Sequence, residues 1–152
     1  MNKIIQVEHE DPTLRAFMLF MQLAQAAYKF ADSRFYQNKQ MTAATFIALK
    51  ILIMQGGTMS HTELARWTNT KRHNITSLVD RMSKEKLVTT KRSKTDRRFV
   101  HVTIATKGRK TFEKNTPVAR SIMEQLMNNI KGNDINELER LLNTIKTNIE
   151  NP

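Results

Sequence analysis

Six polar residues between positions 71 and 77 have the hydrogen-bonding chemistry that reads the edges of DNA bases. An arginine binds guanine through two acceptors, and an asparagine pairs in the same bidentate way with adenine. We call the six the reading window: Lys71, Arg72, His73, Asn74, Thr76 and Ser77. A polar helix face taken alone is more often solvated than bound to DNA, so the neighbouring sequence must decide between these interpretations.

Positive charge is concentrated around the reading window. Residues 58–110 contain 14 of the 25 Lys and Arg residues but only 4 of the 14 acidic residues. The difference gives this stretch a formal charge of +10 out of a total of +11. Charge of one sign gathered on one part of a chain is typical of a surface that binds nucleic-acid phosphates. The charge pattern therefore favours DNA over plain solvation.

Hydrophobic periodicity predicts the helix that carries the window. A helix over about residues 71–86 brings four apolar side chains within about 100° of one another, so we expect them to face the core. The four are Ile75, Leu78, Val79 and Met82. His73 and Ser77 then point to the opposite side. The N-terminal residues of such a helix are those that a helix–turn–helix protein presents to the major groove.

A shorter helix, predicted near residues 61–68, precedes this one. Asn69 lies between the two helices, and asparagine tolerates the left-handed backbone that a tight corner requires. Thr70 is predicted to cap the following helix. The two helices and their corner form a predicted helix–turn–helix.

A hairpin with a basic tip follows, with strands predicted at about residues 87–92 and 98–104. We expect Arg98 to enter the minor groove, whose negative potential attracts arginine. Asp96 is two residues away and can hold that guanidinium on the same side of a strand. The complete set of predicted DNA contacts is Ser60, His61, Thr62, Lys71, Arg72, His73, Asn74, Thr76, Ser77, Arg81, Lys91, Arg92, Lys94, Asp96, Arg97 and Arg98.

Amphipathic helices flank this unit on both sides. The first begins near Pro12 and runs for roughly six turns, and a second is predicted over about residues 42–55. A fifth helix, from about residue 107, contains Pro117, which predicts a kink or a helix start nearby. The last helix has one apolar face, and Asp134 with Glu137 suggests a capping box at its start. Because neither flank can bury its apolar face alone, we expect a homodimer, with a monomeric helical cap as the alternative.

Composition excludes several other classes. The chain has no cysteine, which excludes disulfides and thiolate metal sites. Its four histidines lack paired ligand spacing, so we expect no metal and no cofactor. We find no nucleophile elbow, phosphate-binding glycine loop or paired carboxylates, and therefore expect no enzyme. No signal peptide and no apolar run of about 20 residues is present, which predicts a cytoplasmic protein that does not enter a membrane.

On these residues the chain resembles the multiple-antibiotic-resistance regulator (MarR) family of winged-helix transcription factors. The resemblance covers about residues 11–148, as a single domain. Its most specific blocks are Glu63-Leu64-Ala65, Ile75-Thr76-Ser77-Leu78-Val79-Asp80-Arg81-Met82, Leu87-Val88, Asp96-Arg97-Arg98 and Gly108. It implies a mainly α fold with a small β-hairpin, in which a winged helix–turn–helix DNA-binding unit (58–105) is flanked by dimerisation helices (11–40 and 107–150).

The resemblance also implies a repressor that binds double-stranded DNA and is released by a small-molecule effector, often an aromatic acid. Candidate effector contacts are Met18, Met21, Tyr28 and Phe46, although residues of these types at helical spacing are more often ordinary core residues. The chain departs from the family pattern at Asn69, where the family has glycine. Trp67 replaces a usually polar residue, and the sequence leaves open whether it is exposed or packed under the first helix.

Two rival functions are compatible with the same sequence. One is an architectural or anti-silencing DNA-binding protein that needs no effector. The other is a winged-helix module that binds an acidic protein partner. The rivals differ in whether the chain prefers one DNA sequence over random DNA and whether a small molecule changes that binding.

Overall fold

The computed structural model describes residues 11–37, 41–92 and 100–151. In these ranges the chain forms helices and a small antiparallel sheet, which confirms the predicted fold class. The elements are α1 (Pro12–Gln37), α2 (Ala43–Met54), β1 (Thr58–Ser60), α3 (His61–Trp67), α4 (Arg72–Lys84), β2 (Val88–Arg92), β3 (Val100–Ile104), α5 (Thr106–Leu126) and α6 (Asn133–Glu150). Of the described helices, none is long and apolar enough to cross a membrane.

Residue contacts divide the chain into two compact units, residues 1–120 and residues 121–152. The first unit contains the helix–turn–helix and the sheet. The second contains the end of α5 and all of α6. α6 has no buried residue, so its apolar face is exposed to solvent in this single chain.

The core of the first unit lies between α2, the helix–turn–helix and the sheet. α2 is apolar on most of its circumference, and Ala48, Leu49 and Leu52 are fully buried. Three stacked rings join α2 to its neighbours: Phe46 lies 5.0 Å from Phe35 of α1 and 4.8 Å from Phe112 of α5, measured between ring centroids. This packing fixes α1 and the start of α5 against α2.

The sheet has the strand order β1-β3-β2, with β3 antiparallel to both neighbours. β2 and β3 are the predicted hairpin, whereas β1 was not predicted from the sequence. The added strand places Met59 opposite Val102, and both side chains are buried. It is three residues long, too short to show the two-residue alternation that marks a strand.

The helix–turn–helix is closed by backbone hydrogen bonds at its corner. Asn69 has φ of +47°, as predicted, and the N–H of Thr70 donates to the carbonyl of Ala65 at 2.9 Å. The prediction that Thr70 caps α4 is wrong. The capping position belongs to Lys71, which makes no side-chain capping bond, while the hydroxyl of Thr70 donates to the carbonyl of Thr68 at 3.1 Å.

The C-terminal helices correct two further expectations. α5 begins at Thr106 and continues through Pro117. Of the two alternatives expected for Pro117, a helix start is therefore wrong, and a kink stays a prediction. The predicted capping box of Asp134 and Glu137 is wrong, because Gly132 is the residue that precedes α6 and no side chain caps it. Glu137 binds Arg140 instead, with N···O distances of 2.6 and 2.8 Å.

Candidate nucleic-acid interface

The reading window lies on the exposed side of α4, as predicted. The apolar residues of the helix are buried, with exposed fractions of 0% for Ile75, Val79 and Met82 and 8% for Leu78. The window side chains that the structure describes are all exposed: Lys71, His73, Asn74, Thr76 and Ser77. Of Arg72 only the backbone is described. The buried stripe therefore fixes which face of α4 is available to a ligand.

The N-terminus of α4 is open to an anion. Lys71 precedes the helix without capping it through its side chain, and no acidic residue lies in the first turn. A helix N-terminus carries partial positive charge from its first amide groups, and phosphates bind there. The hydroxyl of Ser77 donates to the carbonyl of His73 at 3.2 Å, which holds this side chain close to the helix. The exposed window side chains and the open N-terminus lie at the same end of α4. A base edge and a DNA phosphate could therefore be bound there together.

Ser60 has a structural role in the described chain. Its side chain accepts from the N–H of Glu63 at 3.2 Å and donates to the Glu63 carboxylate at 2.7 Å. The carboxylate also accepts the N–H of Ser60 at 2.8 Å, which completes a capping box at the start of α3. These bonds, first the backbone N–H and then the hydroxyl, lower the pKa of Glu63 below its ordinary value. The next two residues, His61 and Thr62, were also predicted to contact DNA. His61 is half-buried and Thr62 is exposed.

The capping box was visible in the sequence and was missed. Ser60 and Glu63 have the spacing of a Ser-x-x-Glu motif directly before an apolar helix, which is its usual signature. The hydroxyl of Ser60 both donates to and accepts from Glu63, so Ser60 helps to position α3. Its predicted contact with DNA stays a prediction.

Arg81 lies further along α4 than the reading window, toward the C-terminal end of the helix. It lies nine residues after Arg72 on α4, and its Nη2 atom is 3.4 Å from the hydroxyl oxygen of Thr42, the residue that caps α2. The Arg81 charge also acts on Tyr28 of α1. Burial and the nearby Asp32 carboxylate raise the pKa of Tyr28, and Arg81 partly offsets them. Arg81 therefore links α4 to α1 and α2.

A cleft of about 760 Å³ opens beside Arg81 in the first unit. Its walls come from the end of α1, the start of α2 and the end of α4. They are Tyr36, Gln37, Met41, Thr42, Thr45, Arg81 and Glu85. The four candidates expected from the sequence, Met18, Met21, Tyr28 and Phe46, are not among these residues. Phe46 is buried in the aromatic stack instead.

Asp32 holds one wall of this cleft in place, and sequence reasoning missed it. Its carboxylate accepts the backbone N–H of Ala43 at 2.8 Å, so α1 supplies a second cap to the N-terminus of α2. A carboxylate in this position also interacts favourably with the helix dipole. The two partners are eleven positions apart in the sequence, which leaves no local sequence signal for this contact.

The strands carry the base of the predicted wing. Lys91 and Arg92 are exposed on β2 and lie opposite His101 and Val100 of β3. The remaining predicted wing contacts, Lys94, Asp96, Arg97 and Arg98, lie outside the described residues, so they stay predictions. Trp67 is 56% exposed at the end of α3, which answers the question that the sequence left open.

A known protein family and several solved structures are similar to this chain. A model of the MarR family matches residues 39–98, which include α2, the helix–turn–helix and β2. Over these residues, which are less than half of the chain, the protein is similar to the MarR family of winged-helix proteins. No curated protein sequence matches it.

Solved structures share the fold over most of the chain. AbsC of Streptomyces coelicolor, a MarR family transcriptional regulator, has a TM-score of 0.82 and 18% identity, covering 96% of this chain and 100% of its own. BpsR of Bordetella bronchiseptica, whose DNA binding is regulated by 6-hydroxynicotinic acid, has a TM-score of 0.73 and 25% identity, covering 84% and 98%. A mutant MarR of E. coli, solved with operator DNA, has a TM-score of 0.76 and 21% identity, covering 88% and 94%. The matched family and these neighbours are transcriptional regulators and not enzymes.

Proposed function

We propose that this chain is a homodimeric repressor of the MarR family that binds a pseudo-palindromic operator and leaves it when an aromatic effector binds. The observation that carries the proposal is the division of α4 into a buried apolar stripe and an exposed reading window. Direct base readout by the exposed side chains gives sequence preference. Two such helices in a symmetric dimer would read half-sites about one helical turn apart, roughly 34–36 Å.

Exposed apolar residues support the homodimer. Phe17, Leu19 and Leu23 of α1 are each at least 45% exposed, and α6 exposes Leu141 and Leu142 to a similar degree. Large exposed apolar residues grouped on one helix usually mark an interaction surface. A second copy of the chain would supply the same apolar faces, because two-fold dimers bury identical patches against each other.

The cleft beside Arg81 supports an aromatic acid as effector. The guanidinium offers the planar, paired donors that bind a carboxylate, and Tyr36 and Met41 add apolar wall. A ligand there would touch α1, α2 and α4 at once. It could therefore shift the reading window, because Arg81 and the window belong to the same helix. BpsR, which responds to 6-hydroxynicotinic acid, provides a parallel with this chemistry.

The test is selection of bound sequences from a random DNA pool at one stated salt concentration. We expect the full chain to enrich a two-fold symmetric sequence. Substituting Asn74→Ala together with Ser77→Ala should change which bases are enriched, whereas Lys91→Ala should weaken all sequences alike and reduce the salt slope by about one. Enrichment of no sequence would contradict the proposal and favour an architectural protein or a protein-binding module.

The effector is tested separately by gel shift on the selected sequence. Adding 6-hydroxynicotinic acid or a related aromatic acid should release the wild-type protein, and Arg81→Gln should reduce that release without abolishing DNA binding. If no aromatic acid changes the shift, the regulator acts without this class of effector, and the sequence preference stands on its own.

A further inference from the structure

The C-terminal end of α4 and the N-terminal end of α5 lie close together, and five cationic residues are found there. We call them the junction surface: Lys84, Lys86, Lys107, Arg109 and Lys110. All five are exposed. The two short segments that hold them, residues 84–86 and 107–110, include one acidic residue, Glu85, so the local net charge is +4. None of the five belongs to the reading window or to the predicted wing.

One side-chain and one backbone hydrogen bond hold the two segments together. The amine of Lys107 donates to the carbonyl of Glu85 at 2.8 Å, and the N–H of Ala105 donates to the carbonyl of Leu87 at 2.9 Å. Gly108 lies against the same Leu87 carbonyl so closely that a Cβ atom would be 2.1 Å from its oxygen. The cations are therefore presented by a fixed scaffold, and only their side-chain ends move.

Helix dipoles explain only part of this charge. The C-terminus of α4 is its negative end, and lysines there are stabilising, which accounts for Lys84, Lys86 and Lys107. Arg109 and Lys110 lie in the first turn of α5, where the dipole is positive and disfavours cations. That turn contains no acidic residue, and neither cation forms a salt bridge with a described acid.

The composition of the junction surface fits a phosphate backbone better than a protein. Protein interfaces rely on central aromatic or apolar anchors, and residues 84–86 and 107–110 include none. Leu87 and Ile104, which lie beneath the surface, are buried. Several mobile cations without apolar anchors are the arrangement that neutralises nucleic-acid phosphates.

Distance separates the junction surface from the reading window. Arg72 and Lys84 are twelve residues apart on α4, which corresponds to about 18 Å along the helix axis. A duplex whose bases meet the N-terminus of α4 would therefore approach the helix at the end opposite to the junction surface. We propose that the junction surface binds the backbone of a second DNA duplex, without sequence preference, while the reading window holds the first.

The test counts duplexes bound per chain by analytical ultracentrifugation at low salt, with a random duplex of about 12 base pairs, little more than one helical turn. The test variant carries Lys84→Gln, Lys86→Asn, Arg109→Gln and Lys110→Gln. Asparagine is used at position 86 because it tolerates the φ of +61° there. Lys107 is kept because its amine bonds the Glu85 carbonyl.

A matched control removes four exposed cations elsewhere, through Lys29→Gln, Lys50→Gln, Arg120→Gln and Lys131→Gln. We expect two duplexes per chain for the wild type and the control, and one for the test variant. The double variant Arg109→Gln with Lys110→Gln changes only exposed side chains on α5, and it should lower the salt slope of the second binding step by about two. This double variant replaces the fourfold variant in the test if the fourfold variant does not fold.

One duplex per chain for both the wild type and the test variant would overturn the proposal. Equal loss in the test variant and the control would also overturn it, because it would show a general charge effect. One duplex for the wild type and none for the test variant would support the junction surface and instead contradict the assignment of DNA binding to the reading window. Failure of the two proposals is therefore distinguishable.

Discussion

Helices α4 and α6 have the same kind of sequence pattern and opposite environments. Both place apolar residues on one face at three- and four-residue intervals. In α4 those residues are buried, and Ile75 and Val79 are 0% exposed. In α6 the corresponding face remains in solvent, where Leu142 is 44% and Ile149 is 71% exposed. Identical periodicity has therefore produced a core helix in one case and an unpartnered helix in the other.

The difference shows what an amphipathic pattern determines. It determines that a face requires an apolar partner, but the partner can lie in the same chain or in another. α4 finds α2 and α3 within the first unit. α6 has no buried residue, and we propose that the second chain of a homodimer covers it. The two helices should therefore respond differently to substitution, and protein concentration should matter for α6 alone.

Charging the α6 face should give the largest effect. Leu141→Glu with Leu142→Glu would bury two carboxylates in the proposed dimer interface, so we expect dimerisation to weaken on the order of 100-fold or more. Light scattering during size-exclusion chromatography measures the mass directly. Asn143→Glu with Thr144→Glu adds the same charge to neighbouring exposed positions and should leave the dimer intact. A wild-type mass equal to that of one chain would refute the interface.

Truncation of a buried α4 residue should have the next largest effect. Ile75→Ala removes apolar volume from a fully buried site, for which about 2–5 kcal/mol of unfolding free energy is typical. Ile149→Ala changes a residue that is 71% exposed and should cost less than about 0.5 kcal/mol in dilute solution. Urea unfolding at several protein concentrations separates the two. Equal losses at low concentration would mean that α6 packs within its own chain.

The sequence predicted those features of the fold and site that depend on local pattern. The buried side of α4 followed from the spacing of Ile75, Leu78, Val79 and Met82. The left-handed corner followed from Asn69, since few other residues adopt that conformation readily. The reading window followed from both, because a fixed buried side and a fixed helix start leave one exposed face near the N-terminus.

Features that depend on distant partners were missed. β1 exists because Met59 pairs with Val102, more than 40 residues away. Periodicity placed Arg81 on the surface of α4 but could not show that Thr42 would be its neighbour. The same applies to the cap that Asp32 provides for α2. The expected cap at Asp134 failed because helix start residues are set by the preceding turn, here at Gly132.

The backbone at the C-terminal end of α4 gives a third comparison, centred on Lys86. Lys86 has φ of +61° after α4, and the N–H of Leu87 donates to the carbonyl of Met82 at 2.9 Å. This is a glycine-type helix termination that a side chain strains by about 1 kcal/mol. Lys86→Gly should therefore raise the unfolding free energy by about that amount, measured in urea.

Lys84→Gly is the matched comparison, because this residue lies in the last turn of α4 with ordinary helical backbone. It should destabilise the chain by up to about 1 kcal/mol. Opposite signs at two lysines only two residues apart would show that backbone conformation, and not loss of charge, is responsible. The same sign for both substitutions would refute the strain at position 86.

The smallest expected effect concerns Glu63, whose capping box begins α3. Its pKa is lowered from the ordinary value of 4.5 by the bonds to Ser60. A carboxylate with a lowered pKa in the folded state stabilises the fold above about pH 4.5, and this contribution is lost as the pH falls through the lower, folded-state pKa. Glu63→Gln should therefore reduce stability at neutral pH by less than about 1 kcal/mol, since solvent screens this exposed group, and should flatten the acid decline.

Glu137 of α6 is the control for this prediction. Its pKa is also lowered, first by the hydrogen bond from Arg140, but the pair is exposed on the helix surface and caps no backbone group. Thermal unfolding between about pH 3 and pH 7 compares Glu63→Gln with Glu137→Gln. We expect a larger flattening of the acid decline for Glu63→Gln than for Glu137→Gln, because Glu63 binds the backbone N–H that begins a helix whereas the Glu137–Arg140 pair is solvent-exposed and screened. Equal flattening in both variants would mean that the effect comes from carboxylate charge alone. The Ser60–Glu63 capping box would then contribute nothing measurable to the pH dependence of stability.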